Sequence, residues 1–407
     1  MAPIAAASPA PVTPADLKAG APAGSDLAPL FVADKAARQS AAEALASRVK
    51  NDGADAFVST GFTAAIIQAL ADKKSPAVRE GAASAISVLI KLGAIKALEP
   101  FVISANEDGV FNQLLEAFAD KMPAVRQAAL DAVRDLARTI SPWAVGIVLP
   151  ALLHQTKSAG KWQVKTGSLA TINQLIISSP SAMAKLTPDL IPVLAEAIWD
   201  TKADVKKAAR ETLTKSTALI SNKDVERFIP ALISALINPV EEVPATIQLL
   251  GSTTFVSEVD APTLSLMAPL LQRGLNERPT ATKRKVAVII DNMSKLVDNE
   301  YTVRPFVPKL LPGLIKTQET VSDPEARGVV VKAIATLRQT ANVPTGDGSD
   351  LPPLKMAEAT NLAASVVEIY KKAGATPVPS ATLSSLSLQV VREPCQVPQP
   401  SGARLGG

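Results

Sequence analysis

The side chains in this sequence best suited to binding a charged partner are lysines and arginines that gather in two regions. The first region lies in and just after residues 136–188, a span without Asp or Glu, and contains Lys157, Lys161, Lys165, Lys202, Lys206, Lys207 and Arg210. The second region contains Arg273, Arg278, Lys283, Arg284 and Lys285. Cations held side by side bind phosphates, so we predict a phosphate-binding ridge in the first region and a contact for RNA or an acidic protein in the second. The alternative is a merely solvated surface, because lysine also keeps exposed turns soluble.

Residue types that carry out catalysis are scarce. His154 is the single histidine and lies in the apolar stretch PALLHQTK, and the single cysteine, Cys395, lies in a Pro/Ser/Gly-rich tail. A histidine without a second histidine or a cysteine nearby is a poor metal site. The pattern G-x-x-x-x-G-K-[ST] is absent, because Gly160-Lys161 is followed by Trp162, which lacks the hydroxyl that holds magnesium. We predict that this chain has no catalytic residue, metal, cofactor or small-molecule substrate and is not an enzyme.

Composition and charge favour a soluble helical protein. Of 407 residues, 47% are hydrophobic and only 3% aromatic, which suits many small helices packed closely together. The net charge of +4 is modest, so only its distribution can indicate a partner. No apolar run reaches the roughly 18 residues that span a bilayer. With one cysteine and no secretory or mitochondrial leader pattern, we predict a cytoplasmic protein with no membrane partner.

The elements that must position the cations are repeated helices. The stretches ADKKSPAVREGAASAI (71–86) and ADKMPAVRQAALDAV (119–133) are near copies, and the theme returns at 158–172 and 199–213. Their Val-cation pairs recur at intervals of 39 to 47 residues, beginning at Val78, Val125, Val164 and Val205. This period, with an apolar helix on each side of a turn, is typical of HEAT or armadillo hairpins. We predict an all-α fold, a HEAT/armadillo-like α-solenoid of about seven helical-hairpin repeats.

The segment 62–93 shows how one hairpin is encoded. Its first helix carries an apolar side, and residues 72–76 supply the turn. Ser75 is the predicted N-cap of the second helix, with Pro76 at its first position and Gly93 at its end. One such hairpin cannot cover its apolar face alone, so neighbouring hairpins must stack.

The predicted solenoid spans residues 26–343. Its seven hairpins lie near 54–93, 97–140, 143–179, 186–221, 225–256, 261–298 and 303–341, after a partial cap at about 26–50. Residues 1–25 are predicted to be a disordered Ala/Pro-rich tail, and residues 376–407 a disordered Pro/Ser/Gly-rich tail. Residues 344–375 are predicted to be a linker followed by one amphipathic helix, at 354–375.

The segment PTATKRKVAVIIDNMSKL (279–296) is predicted to contain the second helix of the sixth hairpin. Its inner side is formed by Val286, Ile289, Ile290, Met293, Leu296 and Val297. Asp291 and Lys295 can pair at i, i+4. The outward cations Lys283 to Lys285 oppose the helix dipole by roughly a few tenths of a kcal/mol each. Their placement against this cost favours the interpretation that a partner binds them.

Arg79 and Arg126 have a structural interpretation instead. They stand where arginines of helical-repeat arrays bond an aspartate in the neighbouring turn. The aspartates available for this are Asp72, Asp120 and Asp200. We predict that these arginines form a structural ladder rather than a contact with a partner.

Several longer stretches resemble one family. They are IPVLAEAIWDTKADVKKAA, NKDVERFIPALI, LLGSTTFVSEVDAPTLSLMAPLLQRGLNER, KRKVAVIIDNMSKLV, PFVPKLLPGL and DPEAR. These stretches are similar to the N-terminal HEAT region of fungal-type translation elongation factor 3, over about residues 27–343. The block GLNER…KRK…VIIDNM is the most specific part of the resemblance.

The resemblance implies a ribosome-binding HEAT scaffold that acts in translation elongation. In that family the HEAT array is expected to lie against the small-subunit head and the central protuberance, touching ribosomal RNA and proteins. Two ATP-binding cassettes further along the family's chain power release of deacylated tRNA from the exit site. This sequence contains neither cassette, so the resemblance implies ribosome contact and not ATP hydrolysis. A truncated gene, an alternative product or a fragment would each account for this, with residues 354–375 as a remnant of the family's helical bundle.

A tubulin-binding, TOG-like array or another protein–protein interaction array is the alternative. Basic turns also suit acidic tubulin, but tubulin-binding arrays present an aromatic residue at their first turn. Here the first turn, DKKSP, has none, and Trp162 and Trp199 lie at later turns. A nuclear-import receptor is disfavoured further, because its inner face is acidic.

Overall fold

A computed structural model of the chain describes residues 27–52, 61–94, 102–103, 109–142, 144–346 and 348. Every regular element in these residues is helical, which confirms the predicted all-α fold. The predicted tails, 1–25 and 376–407, and the predicted helix at 354–375 lie outside the described residues. The described residues divide into two compact units, one up to residue 113 and one from residue 114.

The first unit contains a 3-10 helix (Ala28–Phe31) and helices α1 (Lys35–Asp52), α2 (Phe62–Leu70) and α3 (Pro76–Lys91). Helix α1 and the 3-10 helix both pack against α3. The buried Arg38 helps to join them, because it donates to the carbonyl of Ala77 at 3.0 Å and pairs with Glu80 at 3.2 Å. A buried guanidinium needs several such partners to offset its lost hydration.

The caps of α3 follow the predicted pattern. The Ser75 hydroxyl accepts a hydrogen bond from the Val78 N–H, and Pro76 is the first helical residue. Gly93 has φ of +77°, a conformation that glycine adopts without a steric cost. The Ala94 N–H then donates to the Leu89 carbonyl, so the chain ends the helix in a Schellman arrangement.

The second unit continues the hairpins. Helix α4 (Val110–Ala117) contains the point of division. The α-helices that follow it are α5 (Pro123–Thr139), α6 (Val145–Ser158), α7 (Trp162–Ser178), α8 (Pro180–Lys185), α9 (Thr187–Ala197), α10 (Ala203–Ser216), α11 (Lys223–Glu226), α12 (Ile229–Ile237), α13 (Pro239–Gly251), α14 (Ala261–Leu275), α15 (Thr280–Lys295), α16 (Glu300–Val303), α17 (Val307–Thr320) and α18 (Pro324–Ala341). Short 3-10 helices lie at Thr217–Leu219 and Arg304–Phe306. The second to seventh hairpins are therefore α4–α5, α6–α7, α9–α10, α12–α13, α14–α15 and α17–α18.

The second helices of these hairpins stack on one another. Helix α7 packs between α5 and α10, and α15 packs between α13 and α18. In α15 the predicted inner side is buried at Val286, Ile289, Ile290 and Met293. Its Asp291 is buried too, where it bonds Lys295 and accepts from the Thr336 hydroxyl of α18 at 2.6 Å. The predicted i, i+4 pair is therefore also a contact between two hairpins.

The fifth hairpin departs from a strict succession. The first helix of the fourth hairpin, α9, packs against α14 of the sixth. The loops on either side of the fifth hairpin are bonded to each other, since Asn222 donates to the Glu258 carbonyl at 2.8 Å and Ser221 donates to Asp260 at 2.6 Å. Closing the two loops together brings the flanking hairpins into contact.

A half-buried lysine makes a second contact between hairpins that are not consecutive in the sequence. Lys309 of α17 donates to the Pro188 carbonyl of α9 at 3.3 Å, which joins the seventh hairpin to the fourth. Burial lowers the pKa of Lys309, and the nearby Asp189 carboxylate partly opposes that change. The repeat pattern alone predicts neither contact.

Close helix packing predicts a large difference between two glycine substitutions. A Cβ at Gly274 of α14 would lie 2.4 Å from Ile247 Cδ1 and 2.7 Å from Val286 Cγ2, so Gly274→Ala should lower the free energy of unfolding by about 1–3 kcal/mol. Gly328 of α18 has no such neighbour within 4 Å, and Gly328→Ala should raise it by about 0.5–1 kcal/mol through helix propensity. Urea denaturation of both variants checks this. Equal stability of the two would contradict the packing described.

Candidate nucleic-acid interface

The turns of the third and fourth hairpins place several predicted site residues in solvent. Lys161 is the N-cap of α7 and Lys202 the N-cap of α10, and both are exposed. Lys202, Lys206 and Arg210 follow at intervals of four along α10. Lys202 and Arg210 are exposed, whereas Lys206 is half-buried at the edge of the side that buries Val205 and Ala209. They extend over about 12 Å of helix.

Ion pairs distinguish the cations of this region. Within the part of the chain that the structure describes, no ion pair involves Lys202, Lys206 or Arg210. The Lys161 ammonium reaches one main-chain acceptor, the Ala119 carbonyl at 3.4 Å. These four cations keep their charge available to a partner.

Two of the predicted cations are instead engaged within the protein. Lys157 pairs with Glu196 of α9 at 3.1 Å, and Lys165 pairs with Asp200 at 2.7 Å. The Lys165 and Asp200 side chains are only 20% and 12% exposed, whereas the Lys157 pair is in solvent. Lys165 therefore links the third hairpin to the turn of the fourth.

Asp200 organises the turn that precedes α10. One of its oxygens accepts from the Lys202 N–H at 2.9 Å, and the other accepts from Lys165. Burial opposes ionisation, but the hydrogen bonds from Lys165 and from the Lys202 N–H hold the pKa of Asp200 below its ordinary value. Asp72 closes the first turn in the same way by accepting from the Lys74 and Ser75 N–H groups. An aspartate at this position of the repeat is a turn-forming residue.

The second region is also divided between free and engaged cations. Arg284 pairs with Glu325 in the first turn of α18. The stem of Lys285 lies over Gly251 at the end of α13. Asp291 of the same helix is occupied by Lys295 and Thr336.

Four cations of the second region have no ion pair among the described residues: Arg273, Arg278, Lys283 and Lys285. Arg273 is exposed at the end of α14, Arg278 is exposed in the turn that follows, and Lys283 is half-buried in the first turn of α15. The predicted triplet is therefore not one uniform cluster, because its three side chains have three different surroundings.

The arginines at the start of the second helices close their own turns. Arg79 donates to the Asp72 carbonyl at 2.7 Å, and Arg126 donates to the Asp120 carbonyl at 2.7 Å. Arg327 does the same to the Val321 carbonyl at 2.8 Å. Lys165 also forms a bond from a second-helix cation to an aspartate of the next turn, the kind of bond predicted for the ladder. Since Val164-Lys165 occupies the repeat position of Val78-Arg79, the repeat alignment contained the signal that Lys165 is structural.

Known proteins that this chain is similar to share its repeats. The family model described as "EF3 N-terminal HEAT repeat" matches residues 38–213, and the one described as "Elongation factor 3/GNC1 HEAT repeat" matches residues 241–347. The chain belongs to the elongation factor 3 HEAT-repeat family. This confirms the resemblance seen in the sequence and assigns the chain to a family of translation factors.

Individual elongation factor 3 sequences give the extent of the likeness. The protein of Mycosarcoma maydis is 57% identical over 77% of this chain and 29% of its own length. That of Gonapodya prolifera (strain JEL478) is 46% identical over 74% of this chain and 27% of its own length. The chain thus spans less than a third of these relatives. A designed armadillo repeat protein of known structure is 16% identical, with a TM-score of 0.27, over 67% of this chain and 98% of its own.

Other kinds of site are not found in the described residues of this elongation factor 3 region. No group of three or more His, Cys, Asp or Glu side chains there could hold a metal ion. None of the described helices is both long and apolar enough to cross a membrane. His154 is exposed on α6, and Cys395 lies outside the described residues.

The Lys165–Asp200 pair predicts a stability effect that depends on its burial. Asp200→Ala should lower the free energy of unfolding by about 1–3 kcal/mol, because it leaves Lys165 and the Lys202 N–H without their acceptor. Glu211→Ala is the matched control, since the Lys215–Glu211 pair is also 2.7 Å long but 41% and 54% exposed. It should change the free energy by less than about 0.5 kcal/mol. Urea denaturation at pH 7 measures both.

The same pair predicts a pH dependence. Because the folded pKa of Asp200 lies below its ordinary value, the stabilisation is fully present above that value and is lost as the pH falls through the folded pKa. The difference between the wild type and Asp200→Ala should therefore shrink below about pH 4. A difference that stays constant down to pH 3 would show that the carboxylate charge is not what stabilises the turn.

Proposed function

We propose that this HEAT array is a docking scaffold that binds the ribosome in the cytoplasm during translation elongation. Its unpaired cations Lys161, Lys202 and Lys206 contact ribosomal RNA phosphates, and Arg210 extends the same row. Membership of the elongation factor 3 family supports the assignment to translation. No catalytic step is assigned to this region.

The observation that carries the proposal is the row of unpaired cations on α10. Acids near it are already used, since Glu196 pairs with Lys157 and Asp200 with Lys165. Lys202 and Arg210 of the cationic row are exposed and Lys206 is half-buried, and the row has little local compensation, although Asp204 is exposed in the first turn of the same helix. Such a surface attracts a polyanion, and each phosphate it binds releases counterions.

The second region supplies a further contact in this proposal. Arg273, Arg278 and Lys283 lie around the turn of the sixth hairpin without an ion pair in the described residues. Arg284 contributes less, because Glu325 competes for its guanidinium. The partners we propose are ribosomal RNA and the proteins of the small-subunit head and the central protuberance.

A tubulin-binding array is the second candidate function. The exposed rings of Trp162 and Trp199 at hairpin turns favour it, because aromatic residues at turns serve protein recognition. They lie at the third and fourth hairpins, and the described residues of the first turn, 72–76, include no aromatic side chain. Pelleting with microtubules tests this candidate directly.

Sedimentation with purified ribosomes tests the ribosome-docking proposal. The full chain should pellet with ribosomes at low salt and be released as salt rises, as phosphate contacts require. The double variant Lys202→Glu/Lys206→Glu should bind at least about ten-fold more weakly, because it replaces two phosphate contacts with two repulsions.

Two variants act as controls in the same assay. Lys316→Glu reverses an exposed charge on α17, the first helix of the seventh hairpin, and should leave binding nearly unchanged. Lys165→Met removes a cation that Asp200 already neutralises, so it should affect stability more than binding. No pelleting at low salt, or equal losses for Lys202→Glu/Lys206→Glu and Lys316→Glu, would reject the proposal.

A further inference from the structure

Trp199 presents a large apolar ring to solvent at the turn between α9 and α10. The residue is 59% exposed, while its neighbour Ile198 is 2% exposed and anchors the turn in the core. The Trp199 N–H donates to the Glu196 carbonyl at 3.0 Å, and the Asp200 N–H donates to the Ala197 carbonyl at 3.1 Å. The turn that carries the ring is thus ordered in its backbone, and the ring is accessible to a partner.

The charges around Trp199 are positive in balance. The acids on either side, Glu196 and Asp200, are paired with Lys157 and Lys165 of the third hairpin. Beyond Asp200, the chain continues into the cationic row of Lys202, Lys206 and Arg210. An aromatic face next to a row of cations is the arrangement that binds single-stranded nucleic acid.

We propose that Trp199 stacks on an unpaired RNA base, while Lys202, Lys206 and Arg210 bind the phosphates of the same strand. This inference rests on the proposed contact with RNA and specifies the kind of RNA, a single-stranded or bulged segment rather than a regular helix. The cations alone bind duplex and single strand alike, because both expose phosphates. The indole distinguishes them, since bases in an A-form helix are stacked on each other and offer no free face.

An RNA strand fits this surface better than a folded acidic protein. Lys202 and Lys206 lie about 6 Å apart along the helix axis, so a flexible phosphate chain can follow them. Base–aromatic stacking does not depend on sequence, so any unpaired base serves.

Fluorescence anisotropy with two labelled RNAs tests the inference on the full chain. The probes are an oligouridine of about ten nucleotides and a duplex RNA of similar length. Trp199→Ala should weaken oligouridine binding by about ten-fold and leave duplex binding within about two-fold, because only the single strand offers a base. Trp199→Phe should keep most of the affinity, since it keeps a ring. Lys202→Glu/Lys206→Glu should weaken binding of both RNAs.

Controls keep the outcomes distinct. Val240→Ala removes another exposed apolar side chain, 76% exposed on α13, and should change neither affinity. Circular dichroism confirms that each variant folds.

If Trp199→Ala binds oligouridine like the wild type, or loses both RNAs equally, the stacking inference is wrong while ribosome docking can stand. If the wild type binds neither RNA nor ribosomes, the proposed function itself fails. Loss of microtubule binding alone by Trp199→Ala would also overturn the inference.

Discussion

The structure depends on one constraint: no hairpin can bury its apolar face by itself. Each second helix of the second unit lies against the second helix of a neighbour, as α7 lies between α5 and α10. Backbones approach closely enough for this only where side chains are small. Gly167 of α7, for example, leaves room for the buried ring of Phe118. A composition rich in Ala and poor in aromatics follows from this packing, because large rings at every contact would separate the helices.

Stacking also determines which charges the protein uses internally. A turn that joins two helices leaves N–H groups at the start of the second helix without acceptors, and aspartates such as Asp72 and Asp200 accept from them. The carboxylates then attract a cation from the preceding hairpin, as Lys165 shows. Lysines that occupy similar positions in the repeats therefore have one of two roles. Some hold neighbouring hairpins together, and the others remain available to a partner.

The sequence predicts what is local and leaves out what depends on three-dimensional neighbours. Hairpin positions, the Ser75 cap and the Gly93 terminus follow from periodicity and cap preferences, which act over a few residues. The direct contact between the fourth and sixth hairpins cannot be predicted in this way, because hydrogen bonds between residues 221–222 and 258–260 have no signature in a repeat. The candidate site residues were predicted from residue type alone. Lys157, Lys165 and Arg284 form ion pairs with residues some 40 positions away, and a run of charged residues in the sequence does not indicate such pairs. For Trp199, the sequence predicted its place in a turn but not the exposure of its ring.

A stacked array binds partners with the surfaces that stacking does not consume. The apolar sides of the helices are covered by neighbours, so the turns carry the groups that remain, and at the third and fourth hairpins these include the unpaired cations Lys161 and Lys202. Cations on an edge act over a Debye length and attract any polyanion, which gives fast and salt-sensitive association but little discrimination. Discrimination must then come from the few uncharged groups at the same edge. Trp199 is such a group, because an indole stacks best on a partner with an exposed flat face, and the ordered backbone of its turn spares the entropy of ordering that segment on binding.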